Sequence, residues 1–362
     1  MRSSANVNKA IENKGSAVIS LAAVVVVIYG MQMAKELLVP FLVAAFLALI
    51  TVRPMLWMQA KRVPAIVAAL IIVTVIMLIL SVLGTIVGSS IAEFTVALPV
   101  YQERLDVIVE RVVAFLAKNL NTEIEGLGDL IDPGWAMGLV AYLFGALRGV
   151  LTNTFLILFT TIFILLEASS MGTKVEAAFG QRARSLERPR AFITNLGRYL
   201  GIKTVVSLAT GVLAWLVTWS IGLDFPLLWG MIAFLLNYVP TIGSIIAAVP
   251  AVLLALVQLG VPEASATMAG YVAINIAFGN FIEPRLMGYG VGISPLIVFI
   301  GLFFWNWVFG PVGMLLSVPL TMTLKLALES EERTSWIATF IGSERDAQYT
   351  VSSREIEEES ED

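Results

Sequence analysis

Long apolar runs separated by short polar segments occupy most of the chain. Runs near the ~20 residues needed to cross a bilayer predict membrane-spanning helices. Six such helices are predicted, at residues 17–34, 37–52, 64–88, 149–166, 204–222 and 264–282. The first is expected to stay uncleaved, because no small-residue cleavage site follows it. The pattern therefore predicts an all-α, polytopic membrane protein.

Lysine and arginine concentrate in residues 1–16, 53–63 and 167–203. Because positive loops stay on the inner side, these segments are expected in the cytoplasm. Segment 89–148 carries eight acids and four bases and is expected outside. The tail, residues 329–362, has eleven acids against three bases and is expected to be cytoplasmic. Both chain termini are thus predicted to be cytoplasmic.

This charge pattern divides the chain into five parts. In segment 89–148, Leu98, Tyr101 and Leu105 recur at steps of three or four residues, which predicts an amphipathic helix. The predicted parts are an N-terminus (1–16), three helices (17–88), an extracytoplasmic helical segment (89–148), a transport core (149–328) and an acidic tail (329–362).

Composition limits the possible chemistry. The 362 residues are 58% hydrophobic and 14% charged, whereas soluble domains have about 25% charged residues. The chain has no cysteine and no histidine, which removes disulfides, the usual zinc ligands and Ser-His or Cys-His nucleophiles. We therefore expect no enzyme activity, no metal site and no cofactor. Beside a membrane, the basic segment 167–203 favours anionic lipid over nucleic acid as its partner.

Two apolar segments, 226–260 and 295–328, are too long for one span. The first would form a helix of about 52 Å, against a hydrocarbon core of ~30 Å. Each contains helix-breaking residues near its middle, in "VPTIG" and "FGPVG". The predicted break positions are Pro240, Gly243, Pro250, Gly310, Pro311, Gly313 and Pro319.

The two broken segments are repeats of each other. A shift of 69 residues aligns Pro226 with Pro295, Asn237 with Asn306, and Pro250 with Pro319. If each copy is a re-entrant hairpin, the span between them makes the repeat inverted, as in many secondary transporters. If each copy crosses the membrane fully, the repeat is parallel. The short limbs favour hairpins, and both topologies stay open.

Polar side chains cluster at the breaks, where a broken helix leaves backbone groups to be satisfied. They either cap those groups or bind a small polar solute. The candidate substrate-binding residues are Asn237, Thr241, Ser244, Asn306 and Ser317. Glu283 and Arg285 flank Pro284 and are candidates for a gate or a coupling pair, with an interfacial salt link as the alternative.

Three stretches resemble a known family: "NYVPTIGSIIAAVPAVLLAL", "NFIEPRLMGYGVGISPLIVFIGLFFW" and "GPVGMLLSVPLTMTLKL". They are similar to the autoinducer-2 exporter (AI-2E) family of bacterial membrane proteins, and the likeness spans about residues 15–330. The resemblance implies an inner-membrane permease and a homo-oligomer, for which a pentamer is one candidate. It also implies hairpins that move as an elevator. The hairpin elements that carry over are Asn237, Pro240, Gly243, Glu283, Pro284, Gly310, Pro311, Gly313 and Pro319.

The resemblance leaves the solute open. Some relatives export a small furanone-type signalling molecule, and others are linked to sodium or lithium exchange for protons. The leading hypothesis is a transporter of a small polar solute, working by alternating access and taking part in quorum sensing if that solute is autoinducer-2-like. The alternatives are a sodium(lithium)/proton antiporter that uses Glu283, and a membrane scaffold without transport activity.

Overall fold

The computed structural model describes residues 22–120, 152–179, 187–240, 242–287, 292–331 and 334–344, with the isolated residues 19, 145 and 348. Within these ranges every regular element is helical, apart from an antiparallel bridge between Ile293 and Gly342. The helices are α1 (Ala22–Met33), α2 (Lys35–Ala60), α3 (Ala65–Leu120), α4 (Thr154–Phe179), α5 (Glu187–Ile221), α6 (Pro226–Leu236), α7 (Ile242–Gln258), α8 (Val261–Asn275), a π-helix (Ile276–Ile282), α9 (Glu283–Met287), α10 (Pro295–Leu315), α11 (Ser317–Glu329) and α12 (Ser335–Ile341).

Five helical stretches are long and apolar enough to cross a membrane. They are Lys35–Ala60, Ala65–Phe94, Phe192–Ile221, Val261–Met287 and Pro295–Leu315. Their outer surfaces are apolar as well: Leu78 is 64% exposed and Phe303 is 60% exposed. A hydrocarbon solvent tolerates such surfaces, whereas water does not. The predicted all-α, polytopic fold is confirmed.

Helix α3 is longer than the sequence predicts. It runs for 56 residues, about 84 Å, through Pro99, and joins the predicted span 64–88 to the first part of segment 89–148. Its far half is held by packing, because Phe94, Tyr101 and Leu105 are buried in the core cluster that contains α6 and α7. This tertiary contact offsets the local cost of the proline. The remainder of the predicted outer segment, 121–148, lies outside the described residues except for residue 145.

The first broken segment folds back on itself as a helical hairpin, α6 and α7. Helix α6 ends at Leu236, Pro240 follows in the turn, and α7 begins at Ile242. The base of the hairpin is the end where the chain enters α6 and leaves α7. There the Gln258 side chain accepts a hydrogen bond from Asp224 N (2.9 Å) and donates one to Gly222 O (3.3 Å). The two ends of the segment therefore lie together. Pro250 is buried inside α7 and does not interrupt it.

The second broken segment forms a matching hairpin: its first limb is α10 up to Phe309, and its second limb is the end of α10 followed by α11. Helical geometry is interrupted at Gly310, with φ 68° and ψ −155°, just before Pro311. The two limbs then pack together, since Trp305 Nε1 donates to Thr321 Oγ1 at 3.0 Å. At the base, Lys325 Nζ donates to Gly292 O at 2.8 Å. Pro319 lies within α11.

The bases of the two hairpins lie at opposite ends of α5. The first base follows the C-terminal end of α5, where Thr218 Oγ1 donates to Pro226 O at 3.4 Å. The second base shares a cavity with Phe192 and Arg198, near the N-terminal end of α5. Entry of the hairpins into lipid from opposite faces stays a prediction, which this arrangement supports.

A hydrogen bond outside the membrane-spanning stretch fixes the first base to α3. The Tyr101 hydroxyl donates to Asp224 Oδ2 at 2.7 Å. Burial, followed by that carboxylate contact, raises the pKa of the Tyr101 phenol. The phenol therefore stays protonated and keeps donating throughout the neutral pH range.

Glycine is required at one position just after each break. A Cβ on Gly243 would overlap the carbonyl oxygen of Leu236, and a Cβ on Gly313 would overlap that of Trp305. We therefore expect Gly243→Ala and Gly313→Ala each to lower the free energy of unfolding by about 3 kcal/mol. Thermal unfolding of the purified protein in detergent would measure this.

Gly201 provides the matched control, because a Cβ there would meet nothing within 4 Å. Alanine is preferred to glycine inside a helix, so Gly201→Ala should be neutral or stabilising. Equal stability of all three variants would show that the two close approaches do not hold the hairpins together.

Candidate functional site

One face of α5 carries a row of polar side chains through the membrane-spanning stretch. Tyr199, Lys203, Ser207 and Thr210 follow one another at steps of four, four and three residues, which places them on one side of the helix. Lys203 is 3% exposed, Ser207 is 0% exposed and Thr210 is 7% exposed. Polar groups buried in a span are costly and commonly functional. This row is the framework of the candidate site.

Lys203 forms a buried ion pair. It lies twelve residues into the spanning stretch Phe192–Ile221. Its Nζ is 2.6 Å from Glu283 Oε1, and the two side chains are 4% and 19% exposed. Glu283 is the first residue of α9 and directly follows the π-helix. The pair therefore joins the middle of α5 to the end of the next span.

The tip of the first hairpin is hydrogen-bonded to the same face of α5. The Tyr238 hydroxyl donates to Thr204 Oγ1 at 2.8 Å, and Asn237 Nδ2 donates to Ser207 Oγ at 2.9 Å. Between the tip and the base of the hairpin, α6 lies very close to α5. A Cβ added to Gly211 of α5 would lie only 2.7 Å from the carbonyl oxygen of Gly230 in α6. The first hairpin and α5 thus form one tightly packed unit.

A small cavity, here the inner cavity, lies between this unit and the following span. Its polar lining consists of Thr210, Asn237, Ser244, Tyr271 and Asn275. About 10 Å³ is open to the centre of a water molecule, enough for a single water. The π-helix contributes Phe278 and Gly279 to the wall. Such helices are rare and frequently occur at functional sites.

A larger cavity, here the vestibule, opens at the N-terminal end of α5. It measures about 360 Å³ and lies at the base of the second hairpin. Arg198 lines it, as do Lys325 and Glu329, whose charged atoms are 3.5 Å apart. Tyr199 and Ile202 belong to its wall and lie one turn or less from Lys203. The ion pair therefore lies between the vestibule and the inner cavity.

Comparison with known proteins assigns the chain to a family. The family described as "AI-2E family transporter" matches residues 21–332. The chain belongs to the AI-2E transporter family. It is similar to the AI-2 transport protein TqsA of Escherichia coli (strain K12), with 38% identity over 86% of this chain and 91% of that protein.

Two further relatives agree with this assignment. A putative transport protein of Haemophilus influenzae is 36% identical over 91% of this chain and 96% of its own length. The putative transport protein YhhT of Escherichia coli (strain K12) is 33% identical over 90% of this chain and 93% of its own length. This AI-2E protein is therefore a multi-pass inner-membrane transporter that contacts the lipid bilayer and a small solute.

The structure of the AI-2E protein brings some predicted site residues together and not others. Asn237 and Ser244 line the inner cavity together. Asn306 is half-buried in α10, and Ser317 is 1% exposed at the start of α11; neither is part of that lining. Thr241 lies outside the described residues. Whether these side chains bind solute stays a prediction.

Glu283 and Arg285 differ in their surroundings. Glu283 is paired with Lys203, whereas the Arg285 side chain is exposed. Of the two candidates, Glu283 alone therefore has the buried charge contact expected of a gate.

The sequence pattern does not single out Lys203, the cation of this pair. Lys203 ends the basic segment 167–203, where its charge indicates only orientation. Tyr199, Ser207 and Thr210 lie on the same helical face, so the period of α5 could have identified it. Tyr271 gave no comparable signal, because a tyrosine in an apolar span is ordinary.

Removing one partner should reveal that the Lys203–Glu283 pair is buried. Lys203→Met leaves an unpaired carboxylate, and we expect it to lower the free energy of unfolding by about 3–5 kcal/mol. The double variant Lys203→Met/Glu283→Gln should recover most of that loss, because both charges are gone. Thermal unfolding of the four proteins of this cycle would measure the coupling.

The exposed pair Lys174–Glu167 is the matched control, with side chains 59% and 50% exposed. Lys174→Met should change stability by less than about 1 kcal/mol. The assignment fails if Lys203→Met proves no more destabilising than Lys174→Met.

Proposed function

We propose that this AI-2E transporter carries a small polar solute by alternating access, and that autoinducer-2 (AI-2) is such a solute. The observation that carries the proposal is the pair of helical hairpins based at opposite ends of α5. Inverted repeats of broken helices are a common plan of secondary transporters, with the solute near the midplane. AI-2 is proposed because the relative TqsA is named as an AI-2 transport protein.

The lengths of the limbs support re-entrant hairpins. Helix α6 has 11 residues and α7 has 17, which correspond to about 17 and 26 Å. Both are shorter than the ~30 Å hydrocarbon core. The hydrogen bonds of Gln258 at the first base and of Lys325 at the second give each hairpin two ends on one side. We therefore favour the inverted repeat over the parallel one.

The polar face of α5 is the proposed solute pathway. It leads from the vestibule at Tyr199 to the inner cavity at Thr210, a distance of about 16 Å along the helix. The Lys203–Glu283 ion pair lies across this route. We assign it as the gate, because neither charge can leave its partner until solvent or another charge replaces it.

The two hairpins are proposed to play different mechanical parts. The first is bound to α5 through Asn237, Tyr238 and the Gly211–Gly230 contact. The second packs through Trp305 and Phe309 on apolar residues of α1 and α2. Gln32 Nε2 of α1 also donates to Trp307 O at 3.3 Å. Because the buried part of this interface is apolar and can slide, we assign the second hairpin, with its break at Gly310, as the element that moves.

The vestibule gives the proposed orientation. Arg198 and Lys325 line it, and α5 begins in the arginine-rich segment 182–198. Positive segments stay inside. The vestibule, the N-terminus and the C-terminal tail are therefore proposed to be cytoplasmic, and a homo-oligomer remains part of the proposal.

Transport of AI-2 into or out of proteoliposomes tests the function. We expect the wild-type protein to carry AI-2, and we expect Asn237→Ala, at the lining of the inner cavity, to lower the flux about tenfold. A lost hydrogen bond to the solute of ~1.4 kcal/mol corresponds to that factor. The readout is the initial rate of AI-2 movement at matched protein density.

Asn280→Ala is the matched control, because Asn280 is exposed and is not part of the inner cavity lining. Its flux should equal that of the wild type. Wild-type vesicles no more permeable to AI-2 than empty vesicles would remove AI-2 from the proposal, and unchanged flux in Asn237→Ala would remove that residue from the site.

Sodium(lithium)/proton exchange is the second candidate, favoured by the partly buried carboxylate of Glu283. An exchanger needs a carboxylate in the membrane that alternately binds a proton and a cation. If this is the activity, sodium addition should move protons across wild-type vesicles and not across Glu283→Gln vesicles. A pH-sensitive dye inside the vesicles would report this, and equal signals from both proteins would exclude the exchanger.

A further inference from the structure

We propose that Thr210 and Tyr271 bind an uncharged hydroxyl or carbonyl group of the transported solute inside the inner cavity. This proposal rests on the transport function proposed above and specifies the chemistry of its solute. Both residues line one cavity, and they come from two different membrane-spanning helices, α5 and α8.

Both hydroxyls are buried without a hydrogen-bond partner among the described residues. Thr210 and Tyr271 are each 7% exposed, and their oxygen atoms are shielded from solvent. A buried hydroxyl without a partner destabilises a fold, so native proteins rarely keep one. In the described part of the chain, four buried side-chain atoms lack a hydrogen-bond partner, and two of them belong to residues that line this cavity.

Other buried threonines show which hydrogen bond Thr210 could make within its helix and does not make. Thr161, Thr218 and Thr267 each donate to the carbonyl four residues earlier, at 2.7, 2.9 and 2.8 Å respectively. This bond is the ordinary way to satisfy a helical threonine. Thr210 makes no such bond, and it lines the inner cavity instead.

Tyr271 differs from two other buried tyrosines in the same way. The Tyr101 hydroxyl donates to Asp224, and the Tyr238 hydroxyl donates to Thr204. An aromatic residue in a core usually finds such a partner for its hydroxyl. Among the described residues the Tyr271 hydroxyl has no hydrogen-bond partner, and Tyr271 lines the same cavity as Thr210.

The rest of the lining indicates that the bound group is uncharged. Asn237, Ser244 and Asn275 supply amide and hydroxyl groups, and none of the lining residues is an Asp, Glu, Lys or Arg. The nearby charges of Lys203 and Glu283 already neutralise each other. A charged ligand in this cavity would therefore lack a counter-charge, at a large desolvation cost.

The available space indicates how the solute is held. The inner cavity admits one oxygen-sized group, since about 10 Å³ is open to water centres. An adjoining groove of about 360 Å³ between α7 and α8 shares Ser244, Tyr271 and Asn275 with it. That groove lies within the ~300–1,000 Å³ range of small-molecule sites. The rest of the groove lining is apolar, from Ile245 to Val272, so we place only the polar group of the solute, and we place it in the inner cavity.

Thr210→Val and Tyr271→Phe test the proposal by two opposite effects. Each removes an unpaired hydroxyl with little change of shape, so the melting temperature without solute should rise, on the order of 2 °C. Each also removes a contact with the solute, so the rate of AI-2 flux should fall on the order of tenfold. A purely structural role cannot produce a more stable and less active protein together in this way.

Thr218→Val and Tyr238→Phe are the matched controls, because their hydroxyls are hydrogen-bonded. Both should lower the melting temperature. The proposal is overturned if Thr210→Val and Tyr271→Phe also lower it, since the hydroxyls would then be satisfied structurally, for example by bound water.

Two further outcomes keep this proposal separate from the proposed function. If the wild type carries no AI-2 and the two variants still melt higher, AI-2 is the wrong solute and the cavity assignment stands. If sodium chloride, compared with choline chloride, stabilises the wild type and neither variant, the cavity holds a cation and the proposal of an uncharged group is wrong.

Discussion

A helix broken inside a bilayer must satisfy its freed backbone groups within the protein, and the structure depends on this constraint. Each freed N–H or C=O left in hydrocarbon would cost several kcal/mol. The hairpins meet the constraint by close approach. Gly243 lies against the last turn of α6, and Gly313 lies against Trp305 O, so that the second limb covers the end of the first. A side chain at either glycine would separate the limbs and expose those groups.

The same constraint applies to the side chains of α5. The buried charge of Lys203 is tolerated because the Glu283 carboxylate, 2.6 Å away, neutralises it. The buried hydroxyl of Ser207 is tolerated because the Asn237 amide donates a hydrogen bond to it. The polar row on α5 therefore depends on two other elements for its satisfaction, the tip of the first hairpin and the segment after the π-helix. Any motion that separates α5 from either element must supply new partners, and a solute or water is the available source. We propose that this need for new hydrogen-bond partners couples solute binding to movement.

Sequence patterns predicted the elements more fully than the site. Pro226 and Pro295 mark the start of both hairpins, and the breaks follow Asn237 and Asn306 closely, because turn and capping residues act locally. The length of α3 was not predictable, since packing of Tyr101 and Leu105 on the first hairpin carries the helix past Pro99. The Lys203–Glu283 pair joins residues 80 positions apart, and the missing partners of Thr210 and Tyr271 become visible only once all neighbours are known.

The two copies of the repeat share architecture but have different chemistry at their tips. In the first copy, Asn237 and Tyr238 bind polar groups of α5. In the second, Trp305 and Phe309 stack with ring centres 5.8 Å apart, and Met314 packs on the core cluster around the first hairpin. Hydrogen bonds to α5 fix the direction of the first tip, whereas the second copy combines these apolar contacts with a hydrogen bond from Gln32 Nε2 to Trp307 O at 3.3 Å. We therefore propose that the first copy recognises the solute and the second moves, because a carrier that used one tip for both would lose its solute contacts whenever it moved.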